Sequence, residues 1–453
     1  MKNIIFKWIL LILILCTGSG NIIFADNVDT SIIKKVAFNA FHAHSDIDKS
    51  EFQIVQFIPV AEGDSIAFYI VNFNKGHIII AADDISKPVL GFGFSTLNID
   101  NAPPALIYLL NTYKDEILYA KKHKPAEKAQ IDDTWNVYSN DNLDNHTTTN
   151  SLNYNPNSFL IETTWDQSSH NDGANNVYGY NYYCPVVVNN NVNIYTVLGC
   201  GAISLAQILK FWSCRVEPQG IINYTPPGFD EITINLSNQN YDWIAMNNNS
   251  SNIDVALFLY HCAAAIKSQF GFSKTKSYES DICYALNNNY GFNADYVSKS
   301  SYTDAGWISL LKDNIDNRRP VLYIGKDCRD PDPNKHTGHG WNVDGYRTDN
   351  YFHCNWGWGG NNNGWYLLSE LTPGSYYYND NQQAILNIYP IADASDIVIE
   401  DAILTEDDEY DGRVITVINS TIGNNSSIIF DADCITEIYG PFSISIGSTL
   451  EVK

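Results

Sequence analysis

Residues 199–212 read GCGAISLAQILKFW, so Cys200 stands between two glycines at the start of an apolar run. From Ala202 onward the run is apolar almost all round, which predicts a buried central helix. Cys200 would lie in its first turn, where the partial positive charge of a helix N-terminus lowers the pKa of a thiol and favours the thiolate. The flanking glycines would let the backbone turn sharply and let a substrate approach closely. The segment indicates a nucleophilic cysteine, with a structural or disulfide-bonded cysteine as the alternative.

Two later segments carry side chains that could serve such a nucleophile. The sequence Thr337-Gly338-His339-Gly340 leads into a predicted strand, a position that suits a general base for a thiol. Further on, Asn355-Trp356-Gly357-Trp358-Gly359-Gly360 offers an amide that could orient an imidazole and a tryptophan that could shield it from water. A core histidine and an aromatic core strand are the alternatives for these two segments.

The composition limits the classes of function that such a chain can have. Its 453 residues include 51 acidic and 27 basic side chains, which give a formal net charge of −24. Nucleic acids and anionic membranes bind basic patches, so this charge argues against both as the main partner. Hydrophobic residues make up 45%, enough to fill real cores, and the length predicts about three domains. Nine cysteines are too few for a disulfide-dense scaffold, and their odd number leaves one unpaired in a monomer.

The N-terminus has the pattern of a secretory signal peptide, predicted to occupy residues 1–25. Lys2 and Lys7 flank the start of a short apolar run, small residues follow it, and cleavage fits equally well after Gly20 or Ala25. The run is too short to span a bilayer, although a membrane anchor is the alternative. We therefore expect a protein that is secreted or displayed at the cell surface, with no membrane association beyond the signal peptide. Removal of Cys16 would leave eight cysteines in an environment that permits disulfides.

An α+β block is predicted over residues 26–137. Residues 68–73 and 77–81 are apolar strand-like runs joined by the turn sequence Asn74-Lys75-Gly76, and a helix with one apolar face begins at Pro103-Pro104. Residues 138–158 are dominated by Asn, Asp, Thr and Ser, which predicts a linker open to proteolysis.

The rest of the chain is predicted to form a large domain at residues 159–391 and a small β segment at residues 392–453. The large domain contains Cys200 and His339. The small segment alternates in strand fashion, and its acidic stretch at 406–411 indicates a solvated loop, with a calcium site as the less favoured alternative. No internal repeat is evident in the sequence.

In the order Cys, His and Asn-Trp-Gly, the chain resembles the papain-like cysteine peptidases, and more closely the streptopain-like branch, family C10, of streptococci and Bacteroidetes. That family shows a Gly-Cys that opens a helix with Ala-Gln-Ile, a Gly-His before a strand that ends in Asp-Gly, and Asn-Trp-Gly-Trp-Gly-Gly. The matching stretches here are Gly199-Cys200, Ala206-Gln207-Ile208, Gly338-His339, Asp344-Gly345 and 355–360. Residues 165–167 and Cys184-Pro185 resemble the usual entry to the peptidase domain, and residues 76–92 resemble the family's inhibitory propeptide.

The resemblance implies an α+β fold in which a papain-like peptidase domain follows an α+β inhibitory propeptide and precedes a small β segment. It implies a cysteine endopeptidase that works through an acyl-enzyme without metal or cofactor. Its partners would be protein or peptide substrates and its own propeptide, which acts as the inhibitor of a zymogen.

The resemblance also implies roles for individual residues. Cys200 would be the nucleophile and His339 its base, with the ring of His339 fixed by hydrogen bonding from Asn355 or by packing of Trp356. Gln167 would donate to the oxyanion together with the N–H of Cys200. Gly338 would run beside the substrate backbone, and residues 274–277, including Ser277, would line a specificity pocket.

Three departures from the family pattern concern specificity more than activity. They are Gly201 in place of the usual Val, the pair Trp341-Asn342 after the histidine, and the insert 328–336. The alternatives to a peptidase are a catalytically inactive surface or binding protein, a different Cys-His enzyme such as a transglutaminase, and a structural zinc module. The zinc module would use cysteines and histidines whose spacing fits no standard ligand pattern.

Overall fold

The structure is a computed structural model that describes residues 28–45, 47–123, 129–139, 158–167, 179–189, 192–327, 337–347, 349–369, 382–392 and 395–453. The predicted signal peptide, most of the predicted linker and the insert 328–336 lie outside these residues. The chain divides into two compact units. The first comprises Met1–Phe92, Tyr113–His146 and Glu370–Tyr377, and the second comprises Gly93–Thr112, Thr147–Ser369 and Tyr378–Lys453. The mixture of helices and antiparallel sheet confirms the predicted α+β class.

The first unit contains an antiparallel meander with helices. Its strands are β1 (Ile54–Glu62), β2 (Ser65–Phe73), β3 (Gly76–Ala81) and β4 (Val89–Gly93). Its helices are α1 (Thr30–Ser45), α2 (Pro104–His123), which belongs to this unit from Tyr113 onward, and α3 (Ala129–Ser139). The predicted hairpin is confirmed, because Phe73 pairs with Gly76 across a two-residue turn. The predicted helix is also confirmed, since α2 begins at Pro104 and its predicted apolar face is at most 5% exposed.

The second unit is built around an antiparallel sheet and a buried helix. The helices are α4 (Cys200–Trp212), α5 (Ile253–Ala265), α6 (Glu279–Asn289) and α7 (Asp304–Asp316). Two hairpins precede the main sheet: β5 (Val186–Asn189) with β6 (Val192–Tyr195), and β7 (Ile221–Tyr224) with β8 (Ile232–Asn235). The sheet strands are β9 (Phe292–Ser298), β10 (Val321–Asp327), β11 (Thr337–Tyr346), β12 (Phe352–Asn355), β13 (Gly364–Tyr366) and β14 (Gln382–Pro390). They lie in the order β13-β12-β11-β10-β14-β9.

The predicted central helix is confirmed as α4. Every residue from Gly201 to Leu209 is buried, and the helix packs against α5 and β11. Its apolar side chains join one core with those of α5, α6 and the sheet. Because α4 is held on all sides, its first residue, Cys200, has a fixed position relative to β11.

The C-terminal segment is a small parallel β-solenoid. Its strands are β15 (Ile397–Glu400), β16 (Ile403–Leu404), β17 (Asp408–Ile418), β18 (Thr421–Ile422), β19 (Ser427–Tyr439), β20 (Ser443–Ile444) and β21 (Thr449–Val452). They form two parallel ladders, β15-β17-β19-β21 and β16-β18-β20. The strand character is as predicted, but the expectation of no internal repeat is wrong, because successive coils stack on one another.

Left-handed corners hold these coils together. Asp401, Asn419 and Gly440 follow the long strands of successive coils with φ of 50°, 48° and 70°. A Cβ on Gly440 would lie 2.1 Å from Oδ1 of Asn419, so this corner requires glycine. The repeat is therefore one of backbone conformation, because the residues at equivalent corners differ from coil to coil.

The solenoid is joined covalently to the segment that follows α4. Cys214 and Cys434 form a disulfide between residues 220 positions apart in sequence. Arg215 pairs with Glu437 beside it, and Arg413 pairs with both Glu217 and Asp396. The solenoid is thus anchored at the far end of the helix that carries Cys200.

Within the described residues, no helix is long and apolar enough to cross a membrane.

Candidate active site

Cys200 begins helix α4 at a sharp turn. The preceding Gly199 has φ 94° and ψ 145°, a conformation open to glycine, and a Cβ there would lie 3.1 Å from the side chain of Thr275. Cys200 as a whole residue is half-buried at this turn. The backbone N–H of Gly340 in β11 donates a hydrogen bond to Sγ of Cys200 over 3.3 Å.

The surroundings of the thiol pull its pKa in two directions. Burial raises the pKa of Cys200, while hydrogen bonds from the N–H groups of Gly340, Gly201 and Cys200 itself oppose that rise. The net pKa lies above the ordinary thiol value. A thiolate at this position therefore needs a positive charge beside it, and an imidazolium is the usual source.

His339 lies in β11 directly before the residue that contacts the sulfur. It pairs with Gly325 in the neighbouring strand β10, and its side chain is partly exposed. His339 and Cys200 line the same cavity, which has a volume of about 490 Å³. The two segments that the sequence analysis linked by chemistry are therefore brought together.

Five of the seven predicted site residues line this cavity. They are Gln167, Cys200, Ser277, Gly338 and His339. The other two, Asn355 and Trp356, are buried in the core beside it, at 1% and 0% exposure.

Gln167 is held against the turn that presents the nucleophile. Its Oε1 accepts a hydrogen bond from the N–H of Gly199 over 2.8 Å, and its carbonyl oxygen accepts from the side chain of Asn181. Because Oε1 is engaged by a donor, the atom of this side chain that can donate is Nε2. Nε2 is the atom that an oxyanion would require.

Asn355 ends β12 within a buried polar network. Its Nδ2 donates to the carbonyl of Thr163 over 2.8 Å, and its Oδ1 accepts from the N–H of Gly357 over 3.2 Å. The amide of Gln207, from the middle of α4, lies at 3.5 Å from the Asn355 amide. Asn355 thus ties β12 to α4, and its role in orienting His339 stays a prediction.

Trp356 and Trp358 occupy different environments. Trp356 packs between Trp341 and Tyr366, and its Nε1 donates to the carbonyl of Asn362 over 2.7 Å. Trp358 lines the cavity with Cys200 and His339. Gly357 between them has φ 68°, and a Cβ there would lie 2.8 Å from Ile203. The shielding role predicted for Trp356 therefore fits Trp358 better, although both stand in the same motif.

Gly338 and Ser277 both line the cavity. A Cβ on Gly338 would meet no atom of the described residues within 4 Å, so this exposed position has open space in front of it in that part of the chain. A Cβ on Gly201 would lie 2.6 Å from Oγ of Ser277. This contact explains why a larger residue than glycine does not fit at 201 in this chain.

Residues from the N-terminal part of the chain also reach this cavity. Pro104 and Ala105, which belong to the second compact unit, are among the residues that line it. Tyr108 follows three residues after Ala105, and a Cβ on Gly325 would lie 2.1 Å from its ring. Tyr108 therefore packs onto the strand residue that pairs with His339.

His353, the other histidine near the motifs, is buried and packs within the fold. Its Nδ1 lies 2.7 Å from Oδ1 of Asp344, and its ring stacks on Phe159. His353 and Asp344 are 5% and 0% exposed. Within the described part of the chain, no group of three or more His, Cys, Asp or Glu side chains could hold a metal ion. Cys328 and His336, two of the residues that the alternative zinc module would use, lie outside it.

Comparison with known proteins places this geometry in a family. Residues 175–366 match the Peptidase C10 family, and residues 25–117 match the Spi protease inhibitor. The thiol protease/hemagglutinin PrtT of Porphyromonas gingivalis is 24% identical over 383 residues, which cover 76% of this chain and 39% of that protein. Streptopain of Streptococcus pyogenes serotype M28 is 25% identical over 224 residues, which cover 44% of this chain and 54% of that protein.

A solved structure shares the fold. A fragment of prointerpain A from Prevotella intermedia superposes with a TM-score of 0.56 at 23% identity, covering 74% of this chain and 99% of the fragment. The matched stretches cover about two fifths of PrtT and just over half of streptopain, so this chain matches only part of each relative. The resemblance seen in the motifs is confirmed: the chain carries a peptidase C10 domain, and a Spi protease inhibitor domain precedes it.

Proposed function

We propose that this chain is an exported cysteine endopeptidase, made as a zymogen, that hydrolyses peptide bonds through an acyl-enzyme. The observation that carries the proposal is the contact of Cys200 Sγ, at the start of a buried helix, with the strand residue next to His339. Both side chains open into one cavity. PrtT, whose sequence matches 76% of this chain, is named as a thiol protease/hemagglutinin, and residues 175–366 match the Peptidase C10 family.

In this mechanism His339 takes the thiol proton of Cys200, which gives a thiolate–imidazolium pair. The thiolate attacks the carbonyl carbon of the scissile bond and forms a tetrahedral oxyanion. His339 then protonates the leaving amine as the C–N bond breaks, and a thioester remains on Cys200. Neutral His339 next removes a proton from water, and the hydroxide attacks the thioester. The C–S bond then breaks, the carboxylic acid leaves, and the proton on His339 returns to the sulfur to restore the thiol.

Two donors would stabilise the oxyanion. One is the N–H of Cys200 at the N-terminus of α4, where the helix dipole favours negative charge. The other is Nε2 of Gln167, since Oε1 of the same amide is fixed by the N–H of Gly199. One such donor typically lowers the barrier by about 3 kcal/mol.

Residues on the walls of the cavity would bind the substrate and shield the catalytic pair. The open space in front of Gly338 fits an extended substrate backbone, and Ser277 would face the substrate side chain. We assign the shielding of the catalytic pair to Trp358, because it lines the cavity, and we assign support of this strand end to Trp356 and Asn355.

The zymogen part of the proposal rests on the N-terminal segment. Pro104, Ala105 and Tyr108 lie within the stretch that matches the Spi protease inhibitor. Pro104 and Ala105 occupy part of the cavity wall, and Tyr108 packs on the strand residue opposite His339. Substrate would have full access only after this segment has left. Cleavage in the linker at residues 138–158 would free it, and the signal peptide would take the zymogen out of the cell.

Cleavage of casein by the purified chain under reducing conditions tests the proposed function. We expect the wild-type chain to cleave casein and Cys200→Ala to be inactive while its circular dichroism spectrum stays native. A metal chelator should leave the activity unchanged. The alternative, a catalytically inactive surface or binding protein, predicts no cleavage by either chain after the linker has been cut.

A further inference from the structure

The wall of the cavity beside Cys200 carries basic side chains. Lys274, Lys276 and Lys326 line it, and Glu279 is the one carboxylate among the described residues that do so. Three lysines against one glutamate leave two positive charges on this wall. The chain as a whole carries 51 acidic and 27 basic residues, so the charge of the cavity is opposite to that of the molecule.

The segment that carries two of these lysines is fixed against the nucleophile. Thr275 donates from Oγ1 to the carbonyl of Val197 and accepts from the N–H of Gly271 over 3.1 Å. The Thr275 side chain also lies against Gly199, directly before Cys200. Lys274 and Lys276 flank Thr275 and are exposed, so their charges are held at the rim of the cavity next to the nucleophile.

The third lysine is neutralised and the other two are not. Nζ of Lys326 lies 3.0 Å from Oε1 of Glu279. Within the described part of the chain, no acidic side chain forms an ion pair with Lys274 or Lys276. These two lysines are therefore the ones on the cavity wall that no described acidic side chain neutralises.

The N-terminal segment in the same compact unit has the complementary charge. Residues 93–112 contain one acidic residue, Asp100, and no lysine or arginine. Two residues of this segment, Pro104 and Ala105, line the cavity. The one stretch of the chain that is seated there thus carries no charge that the two lysines would repel.

We propose that this cavity selects peptides with aspartate or glutamate close to the scissile bond, and that Lys274 and Lys276 determine this specificity. The inference rests on the proposed peptidase function and names its substrate class. Charges at the rim of a binding site act through water, so each contributes modestly, and salt screens them. Together they should favour an acidic over a neutral side chain by about fivefold to tenfold in kcat/KM at low ionic strength.

Matched fluorogenic peptides that differ only in Glu, Gln or Lys at one position test this, with each position on either side of the scissile bond varied in turn. The processed wild-type enzyme should show a Glu-to-Gln ratio of kcat/KM of about five or more at one position, and this ratio should fall towards one at high salt. Lys274→Gln combined with Lys276→Gln should bring the ratio to about one at low salt. Lys267→Gln combined with Lys453→Gln changes the net charge equally at two exposed lysines that do not line the cavity, and should keep the ratio of the wild type.

Equal rates for the Glu and Gln peptides at every position would overturn the proposal, and so would a preference that survives in the Lys274/Lys276 double variant. If the Gln peptides and casein are not cleaved at all, the proposed peptidase function fails, and this inference fails with it. Cleavage of the Gln peptides without preference separates the two cases.

Discussion

The backbone N–H of Gly340 donates a hydrogen bond to the sulfur of Cys200 over 3.3 Å. This bond joins the N-terminus of α4 to the strand residue that follows His339, so the nucleophile and its base are positioned by one contact. It also supplies a donor that favours the thiolate, against the burial that raises the pKa of Cys200. The remaining stabilisation of the thiolate has to come from a positive charge, which protonated His339 would provide.

Replacement of the two histidines near the motifs should have separable effects. We expect His339→Ala to lower kcat/KM about 10²- to 10⁴-fold, because a positioned general base is lost. His353→Ala should lower stability by about 1–3 kcal/mol, because Asp344 loses its buried partner. Peptide hydrolysis and thermal unfolding of both variants measure these effects. An activity loss in His353→Ala as large as that in His339→Ala would mean that the base has been misassigned.

Self-processing should depend on Cys200. The wild-type chain should shorten to a form that begins between residues 138 and 158, whereas Cys200→Ala should stay at full length because it cannot cut the linker. N-terminal sequencing and mass spectrometry follow the conversion. The shortened form should be more active per mole than intact wild type. Equal activity of the two forms would show that the chain is not a zymogen.

The contact of Tyr108 with Gly325 offers a sharper test of the inhibitory segment. Tyr108→Ala removes the ring that packs opposite His339 and should speed processing of the full chain several-fold. Tyr119→Ala removes a ring of the same helix that stacks on His123, so it is the matched control and should process at the rate of the wild type. Identical processing rates in the two variants would argue against a direct role of Tyr108.

Gly338→Ala should reduce substrate binding without loss of stability. No atom of the described part of the chain lies within 4 Å of a Cβ at this position, so the fold should tolerate it, but the methyl group would enter the path of a substrate backbone. We expect kcat/KM to fall about tenfold with an unchanged melting temperature. Gly423→Ala in the solenoid is the control, since a Cβ there comes no closer than 3.7 Å to another atom. Unchanged kinetics in Gly338→Ala would show that substrate does not pass this residue.

The disulfide between the solenoid and the end of α4 should contribute strongly to stability. Cys434→Ser opens a link across 220 residues and should cost about 2–5 kcal/mol, seen as a lower melting temperature without reductant. Added reductant should remove the difference from wild type. Cys283→Ser, which replaces a free and partly exposed thiol, should leave the melting temperature nearly unchanged. A Cys434→Ser protein with the melting temperature of the wild type would show that the disulfide contributes little.

Local patterns in the sequence predicted the parts of the site that local physics determines. The apolar run after Cys200 predicted a buried helix, and the residues around His339 predicted a strand that carries a base for a thiol. The hairpin at Asn74 and the helix at Pro104 followed from turn and helix-start preferences. Each of these features depends on residues that are close in sequence.

Other features depend on tertiary relationships that no local pattern carries. Trp356 and Trp358 stand in the same motif, with the left-handed Gly357 between them. Of the two, Trp358 lines the cavity, which the sequence pattern does not indicate. The pairing of Cys214 with Cys434 joins segments 220 residues apart. The solenoid repeats a backbone shape through corners at Asp401, Asn419 and Gly440, three residues with little in common except tolerance of positive φ.

The most direct measurement is the site and pH dependence of labelling by a thiol-directed epoxide, read by peptide mapping of the processed chain. Cys200 should be labelled far faster than Cys283, the other partly exposed free thiol of the described residues, whose pKa burial raises to about 11. A thiolate forms as pH rises through the pKa of the thiol, and an imidazolium beside Cys200 lowers that pKa. Labelling of wild type should therefore persist to lower pH than labelling of His339→Ala, by at least one pH unit. Labelling at Cys283 in place of Cys200, or identical pH profiles for wild type and His339→Ala, would contradict the assignment of Cys200 and His339 as the catalytic pair.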